Sequence, residues 1–252
     1  MILDSETIPM FKSHYSIGRS ILTLSNEQPE VGPDSIFEIC RKNELRELFL
    51  VEDQMSGFLE AYKNSKENKI KLIYGIRLTV CADASKKNED SLKSNSKVII
   101  FCKNEAGYKK LIKIVTHAAR KGFYYTPRTD FQALKDFWDN NELEMAIPFY
   151  DSFLHENNLK GKLCIPDFNF ANPTFFTEDN DVPFDFLIKE SINEFCGGKY
   201  ETLPVKSIYY KNKKDFKAYL TFRCINKRTT LDRPSLDHMC SDEFSFESWK
   251  KL

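Results

Sequence analysis

Residues 97–122 read KVIIFCKNEAGYKKLIKIVTHAARKG, and they place two kinds of pattern in direct succession. Lys97–Cys102 is a short apolar run with β-branched residues, which predicts a buried strand. Asn104 then offers an N-cap side chain for a helix. The apolar face of that helix is formed by Tyr108, Leu111, Ile112 and Val115. A strand followed by an amphipathic helix is the repeating unit of an α/β fold.

The same alternation extends along most of the chain. An N-cap at Asp34 or Ser35 opens a helix, and residues 82–96 lack periodicity and predict an exposed loop. Strands are predicted at 48–51, 71–80, 97–102, 143–149, 162–168 and 203–210, and helices at 34–45, 57–68, 104–122, 130–138, 182–198 and 213–225. Six or seven strands alternating with helices fit a β/α barrel or an open doubly wound sheet, which periodicity does not separate.

Composition excludes several classes of protein. The 252 residues are 41% hydrophobic, enough for one large domain with its own core, and a small disulfide-stapled scaffold is excluded. Lys plus Arg and Asp plus Glu both total 37, so no global charge drives binding to nucleic acid or membrane. The seven cysteines form no C-x-x-C pair. No signal peptide or spanning segment is seen, so we expect a cytoplasmic protein without a membrane partner.

Signatures of common catalytic sites are absent, including the P-loop, G-x-G-x-x-G, G-x-S-x-G and H-E-x-x-H. Glu52 and Asp53 follow a predicted strand, at the end where β/α folds build their sites. This acidic pair could bind a divalent cation or form a salt bridge with a basic neighbour. His14 also lies near a predicted strand end and is a further candidate.

Residues 101–130, FCKNEAGYKKLIKIVTHAARKGFYYTPRTD, resemble a known family. They are similar to the PHP (polymerase and histidinol phosphatase) domain of the DNA polymerase III alpha subunit, the bacterial C-family replicative polymerase. That family reads approximately LAKNEEGYRNLIKLVS and then GFYYKPRID. LFLVEDQMSGFLEAY at 48–62 and LPVKSIYYKNKKDF at 203–216 also match family segments in order. The resemblance covers nearly the whole chain and is weakest over residues 140–200.

The resemblance implies the α/β class and a PHP-type distorted (β/α)7 barrel. It predicts one PHP-like domain over residues 1–252, with 226–252 as a C-terminal extension similar to the segment that leads into the polymerase palm. Family members continue into that palm, so we expect no polymerase active site in this chain. A stand-alone copy of this kind suggests a bacteriophage protein.

Active family members hold up to three metal ions at the carboxyl ends of the barrel strands. In this sequence the corresponding positions are Met10, Lys12, Arg19, Glu52, Asp53, Arg77, Lys97, Ser207 and Tyr209. Glu52 and Asp53 alone keep oxygen ligands of the expected kind, and the family's cysteine after the sixth strand has no secure counterpart near Pro148 and Phe149. The resemblance therefore implies a degenerate metal site.

Four of these positions carry fixed positive charge, at Lys12, Arg19, Arg77 and Lys97. One hypothesis is that these groups replace the charge of the metals and form salt bridges with the remaining acids. A second is that the ligand positions drifted once catalysis ceased, leaving the basic residues exposed. A third is an anion site for phosphate or the DNA backbone. All three imply loss of metal binding.

The sequence therefore favours a non-catalytic replication protein, a scaffold or docking module whose partners are replisome proteins, a polymerase or a proofreading exonuclease. We expect no cofactor and no catalytic residue. One alternative is a residual metal-dependent phosphoesterase or 3′–5′ exonuclease that uses Glu52, Asp53 and His14 with Mn²⁺ or Zn²⁺. Another is a weak binder of the DNA backbone. Because a residual phosphoesterase is among the alternatives, whether the chain is an enzyme stays open.

Overall fold

A computed structural model describes residues 7–232 and 239–252. Strands and helices alternate, and the predicted fold class, an α/β fold of the PHP-type distorted (β/α)7 barrel kind, is confirmed. The strands are β1 (Ile8–Phe11), β2 (Glu47–Glu52), β3 (Lys71–Cys81), β4 (Ser96–Cys102), β5 (Arg128–Asp130), β6 (Leu143–Ile147), β7 (Thr174–Thr177) and β8 (Thr202–Ile208). The helices are α1 (Ile36–Lys42), α2 (Phe58–Glu67), α3 (Glu89–Leu92), α4 (Glu105–Arg120), α5 (Phe131–Phe137), α6 (Phe153–Lys160), α7 (Asp185–Cys196), α8 (Phe216–Lys227) and α9 (Phe246–Trp249).

The chain divides into two compact units. The first contains the described residues within Met1–Tyr74, Glu178–Asp185 and Pro204–Leu252. In this unit β1 pairs in parallel with β2 and with β8. Parallel strands end at the same edge, so residues that follow β1, β2 and β8 come together there.

The second unit contains Gly75–Thr177 and Phe186–Leu203. Here β4 runs antiparallel to both β3 and β6, while β5 joins β3 and β7 joins β6 in parallel. The antiparallel β4 departs from the all-parallel order of a regular β/α barrel, which accounts for the distortion within this unit.

The helix caps confirm the local predictions. Ser35 begins α1 by accepting from the backbone N–H of Glu38, and Asn104 begins α4 by accepting from that of Gly107. The predicted apolar face of α4 was partly wrong: its buried stripe is Gly107, Leu111, Ile114 and Ala118, and Ile112 is 40% exposed. A Cβ atom on Gly107 would lie 2.0 Å from the carbonyl oxygen of Glu142, so only glycine allows the helix to pack this closely.

Two predictions of local structure were wrong. Residues 162–168 form no strand, because Pro166 interrupts the segment and Cys164 satisfies its backbone N–H on Asn157 Oδ1 at 2.7 Å. Residues 82–96 are not wholly irregular, because Asn88 caps the short helix α3 through a 2.9 Å bond to the N–H of Ser91. In each case an asparagine side chain accepts a hydrogen bond from a backbone N–H group. The hydrophobic periodicity of the sequence gives no sign of such bonds.

Single-domain organisation over 1–252 stays a prediction, and residues 233–238 of the expected C-terminal extension lie outside the described residues. Within the described ranges, no helix has both the length and the apolar character that a membrane crossing requires.

Candidate functional site

The ends of β1 and β2 bring three of the expected positions together in the first unit. The strands are parallel, with Phe11 opposite Leu50, so Lys12 and Asp53 emerge at one edge. Lys12 Nζ donates to Asp53 Oδ1 at 3.0 Å, and Arg19 Nε lies 3.7 Å from Asp53 Oδ2. Only 4% of the Lys12 side chain is exposed, against 28% of Asp53. The Asp53 carboxylate therefore forms ion pairs with two cations. One of them, the Lys12 ammonium, is almost entirely shielded from water.

Glu52 is buried beside this pair and has a different set of partners. Its Oε1 atom accepts from the backbone N–H of Ser13 at 2.9 Å, and its Oε2 atom accepts from the Ser16 hydroxyl. Ser16 Oγ also accepts from the backbone N–H of Asp53 at 2.8 Å. Burial raises the pKa of Glu52, and the Lys12 ammonium and the hydrogen bonds from Ser13 and Ser16 offset this only in part. Both Glu52 oxygens are thus engaged by groups of the protein.

The pairing of β1 with β8 places Met10 opposite Ser207. Ser207 donates to Glu178 through its backbone N–H at 3.0 Å and its hydroxyl at 2.8 Å, and Asn180 Nδ2 donates to the same carboxyl group at 2.8 Å. Glu178 is buried, which raises its pKa against the effect of these donors. Tyr209 stacks on two neighbouring aromatic rings, with centroid distances of 5.8 Å and 5.3 Å. Position 207 therefore supports a buried carboxyl group.

His14 lies at the surface of the first unit. Its ring centroid is 4.4 Å from that of Tyr15, whose hydroxyl donates to Glu60 at 2.8 Å. The imidazole therefore lies in an exposed aromatic pair, and the donors to Glu52 are Ser13 and Ser16 instead.

In the second unit, the basic positions Arg77 and Lys97 each have a defined partner. Arg77 Nη2 lies 2.5 Å from Asp151 Oδ2 and 3.2 Å from the carbonyl oxygen of Tyr150. Lys97 Nζ donates to Thr79 Oγ1 at 2.6 Å. Arg77 is only 8% exposed, so its charge is matched inside the protein.

Asp151 belongs to a group of three potential metal ligands in the second unit. Its ligand atom and those of His155 and Glu156 lie within 4.8 Å of one another. Lys160 Nζ lies 3.1 Å from Glu156 and 3.6 Å from Asp151, and Lys162 Nζ lies 2.5 Å from Glu156. Burial alone would raise the pKa of Glu156, but hydrogen bonds from His155 and Lys162 and the charge of Lys160 lower it to about 2. The ammonium groups of Lys160 and Lys162 thus already pair with carboxylates that a metal ion would need as ligands.

The side chains at the expected ligand positions of the first unit do not fit a metal cluster. Lys12 and Arg19 already direct positive charge at Asp53, and a divalent cation bound there would be repelled by both. Met10 and Tyr209 supply a thioether and a phenol, which are poor ligands for hard cations. No catalytic step through a metal follows from this geometry.

Sequence reasoning missed Glu178, Asp151 and Glu156. All three fall in residues 140–200, where the resemblance is weakest, and none belongs to a recognised motif. A signal was available for Glu156, because Lys160 stands four residues further along the same helix.

The known proteins that this chain resembles agree with one another. The family model described as PHP domain matches residues 27–155, just over half of the chain. The DNA polymerase III subunit alpha of Aquifex aeolicus is 24% identical over 204 residues, which are 74% of this chain and 17% of that protein. The same subunit of Thermus aquaticus is 25% identical over 203 residues, 75% of this chain and 16% of that protein.

Shorter matches are closer in sequence. The DNA polymerase III subunit alpha of Chlamydia muridarum is 38% identical over 81 residues, 31% of this chain and 6% of that protein. The chain thus spans between 6% and 17% of the length of these relatives. Among solved structures, a chain assigned as a metal-dependent phosphoesterase from Bifidobacterium adolescentis is 18% identical, with a TM-score of 0.25 over 46% of this chain and 35% of that one.

The matched region contains β2, β3, β4 and α4, the elements that carry Glu52, Arg77, Lys97 and the stretch from which the fold was predicted. It extends over more than half of the chain and agrees with the α/β architecture. This chain belongs to the PHP domain family.

Proposed function

We propose that this chain is a non-catalytic PHP-domain protein of DNA replication, a scaffold or docking module for a polymerase or a proofreading exonuclease. The observation that carries the proposal is the pairing of Lys12 and Arg19 with Asp53. A site that must attract a divalent cation loses affinity when two protein cations already neutralise its carboxylate.

The second unit supports the same proposal with different residues. Arg77 lies against Asp151, and Lys160 and Lys162 lie against Glu156. The pKa of Glu156 is lowered to about 2, so its ion pairs with Lys160 and Lys162 persist throughout the physiological range. Asp53 in the first unit and Asp151 and Glu156 in the second thus have protein cations as partners, which supports a structural role for these positions.

The replication context of the proposal comes from relatives that are named DNA polymerase III subunit alpha. The seven cysteines, all free thiols, support a reducing cytosol as the location. A bacteriophage origin stays a prediction.

The first test measures metal and activity together. Protein purified without chelator is analysed for metals, and hydrolysis of a generic phosphodiester and of single-stranded DNA is measured with added Mn²⁺ or Zn²⁺. We expect less than about a tenth of a metal ion per chain and no hydrolysis. Near-stoichiometric metal, with turnover abolished in Glu52→Ala or Asp53→Ala, would instead establish a metal-dependent phosphoesterase.

The second test measures docking. The purified chain is titrated with a DNA polymerase III alpha subunit and with a proofreading exonuclease, and binding is followed by calorimetry. Saturable binding to either protein supports the scaffold. Binding to neither, combined with salt-dependent binding to DNA, would favour the DNA-backbone alternative.

A further inference from the structure

A groove in the second unit lies between α6 and α7 and has a volume of about 560 Å³. Leu154 and Leu159 of α6 and Leu187 and Phe195 of α7 form its apolar lining. Leu187 is 41% exposed and Phe195 38% exposed, although both are large apolar residues. Apolar surface that is concave and open to solvent is typical of a protein docking site.

The shape of this groove is fixed before any partner binds. The Phe195 ring stacks on Tyr200 with centroids 5.9 Å apart, and it contacts Phe153 at 5.0 Å and Phe175 at 5.5 Å. Its free face is therefore held in one orientation by three other rings. A rigid anchor of this kind lowers the entropy lost on association.

A side-chain hydrogen bond also ties the two helices together across the groove. Asn158 Nδ2 on α6 donates to Ser191 Oγ on α7 at 2.7 Å. Ile188 and Ile192 anchor α7 in the core, where they are 2% and 1% exposed. The groove is thus a preformed feature of the packed helices.

The charge of the groove indicates what it binds. Glu190 and Glu194 lie one helical turn apart on α7 and line the groove with the apolar residues. Neither carboxylate forms an ion pair with any of the residues that the structure describes. Like charges at this spacing destabilise a helix, so a cation supplied by a partner would stabilise both the helix and the complex.

We infer that the groove between α6 and α7 is a docking site for a basic amphipathic helix of another protein. The apolar face of that helix would lie against Leu187 and Phe195, with a lysine or arginine at its flank against Glu190 and Glu194. The two carboxylates repel phosphate, so this surface selects against nucleic acid and anionic membranes. The inference rests on the proposed docking function and names the surface and the chemistry of the partner.

The test uses two synthetic peptides of about 20 residues, long enough to form a helix on binding. Both carry leucines on one helical face, and one is flanked by lysines, the other by glutamates. Fluorescence anisotropy measures their affinity for the full chain. We expect the lysine peptide to bind at least about tenfold more tightly than the glutamate peptide.

Charge reversal locates the binding site. The variant Glu190→Lys with Glu194→Lys should reverse the peptide preference, and Glu194→Lys alone should give an intermediate one. Glu89→Lys with Asp90→Lys changes the net charge equally on α3 of the same unit and should leave the preference unchanged. Leu187→Gln should weaken the lysine peptide about fivefold, because it removes apolar contact without changing charge.

The inference is overturned if neither peptide binds, if charge reversal leaves the preference unchanged, or if the α3 control shifts it as much. Failure of the proposed function looks different. A polymerase or exonuclease that binds the wild type and the Glu190→Lys, Glu194→Lys variant equally would overturn the groove assignment and leave the docking function in place. Peptide reversal without binding of either replication protein would leave the groove in place and overturn its replisome role.

Discussion

Glu52 in the first unit and Glu156 in the second are both buried glutamates, with 0% and 3% of the residue exposed, yet their pKa values move in opposite directions. Glu52 is held by the backbone N–H of Ser13 and by the Ser16 hydroxyl, and burial raises its pKa. Glu156 is surrounded by His155, Lys160 and Lys162, and its pKa falls to about 2.

The difference shows that burial alone does not set the ionisation of a carboxyl group. The neutral donors on Glu52 lower its pKa but do not outweigh burial, whereas the donors and adjacent ammonium groups around Glu156 do outweigh it. In the first unit the nearest ammonium, that of Lys12, donates to Asp53. The balance between burial and nearby cations thus sets the direction in which each pKa moves, and the following experiments test that difference.

The largest effect is expected from removing the buried ammonium of the first unit. Lys12→Ala should lower the free energy of unfolding by about 3 kcal/mol, because it takes a hydrogen-bonded cation from Asp53 and from the surroundings of Glu52. Urea denaturation measures the change. Lys71→Ala is the control, because the Lys71–Glu47 pair is exposed and should contribute about 0.5 kcal/mol or less. If Lys12→Ala lowers the free energy of unfolding by no more than Lys71→Ala does, Lys12 has no special structural role.

The second effect is a pH dependence in the second unit. Glu156→Gln should lower the free energy of unfolding by about 2 kcal/mol at pH 7, after allowance for solvent around the partly exposed lysines. A lowered carboxyl pKa stabilises the fold above the unfolded-state value near 4.5, and this contribution is lost as the pH falls from there to about 2. Denaturation curves of both proteins should therefore converge over that range. A constant gap would show that the variant acts through packing.

Glu52→Gln in the first unit should have a smaller effect with the opposite sign. A raised carboxyl pKa destabilises the folded protein at high pH, so the variant should match the wild type or exceed it by about 1 kcal/mol at pH 7. Wild-type stability should gain on that of the variant as the pH falls through the folded pKa of Glu52, which lies above 4.5. A large loss at pH 7 would mean that the ionised carboxylate is the stable form.

The smallest effect is expected from restoring one ligand. Lys12→His should leave metal content below about a tenth of an ion per chain and produce no phosphodiester hydrolysis, because a metal site needs several ligands at once. Metal analysis of the purified variant checks this. Stoichiometric metal in Lys12→His would show that Lys12 alone keeps the first unit free of cations.

Local signals in the sequence predicted a large part of the fold. Ser35 and Asn104 cap the helices that they were expected to begin, and the strand at 97–102 extends by one residue to Ser96. These features depend on neighbouring residues, which a single sequence displays. The segment 162–168 misled because its apolar residues lie in a loop held by side-chain hydrogen bonds.

The site was predictable only in part. Lys12, Arg19 and Asp53 were identified as a possible salt-bridge group, and the structure places them in contact. Asp151 and Glu178 depend on contacts with Arg77 and Ser207, which are 74 and 29 residues away in the chain. No periodic pattern reports contacts over such separations.

The close approach of α4 at Gly107 has a consequence for how this protein tolerates change. A single missing Cβ atom there lets a carbonyl oxygen of residue 142 occupy the space, and a Cβ on Gly122 would lie 1.8 Å from the carbonyl oxygen of Arg128. In a library of all single substitutions, few variants at Gly107 or Gly122 should fold, whereas most replacements of the exposed His14 should be tolerated. We therefore expect low tolerance of substitution at these two glycines, because the backbone of another segment fills the space that a side chain would need.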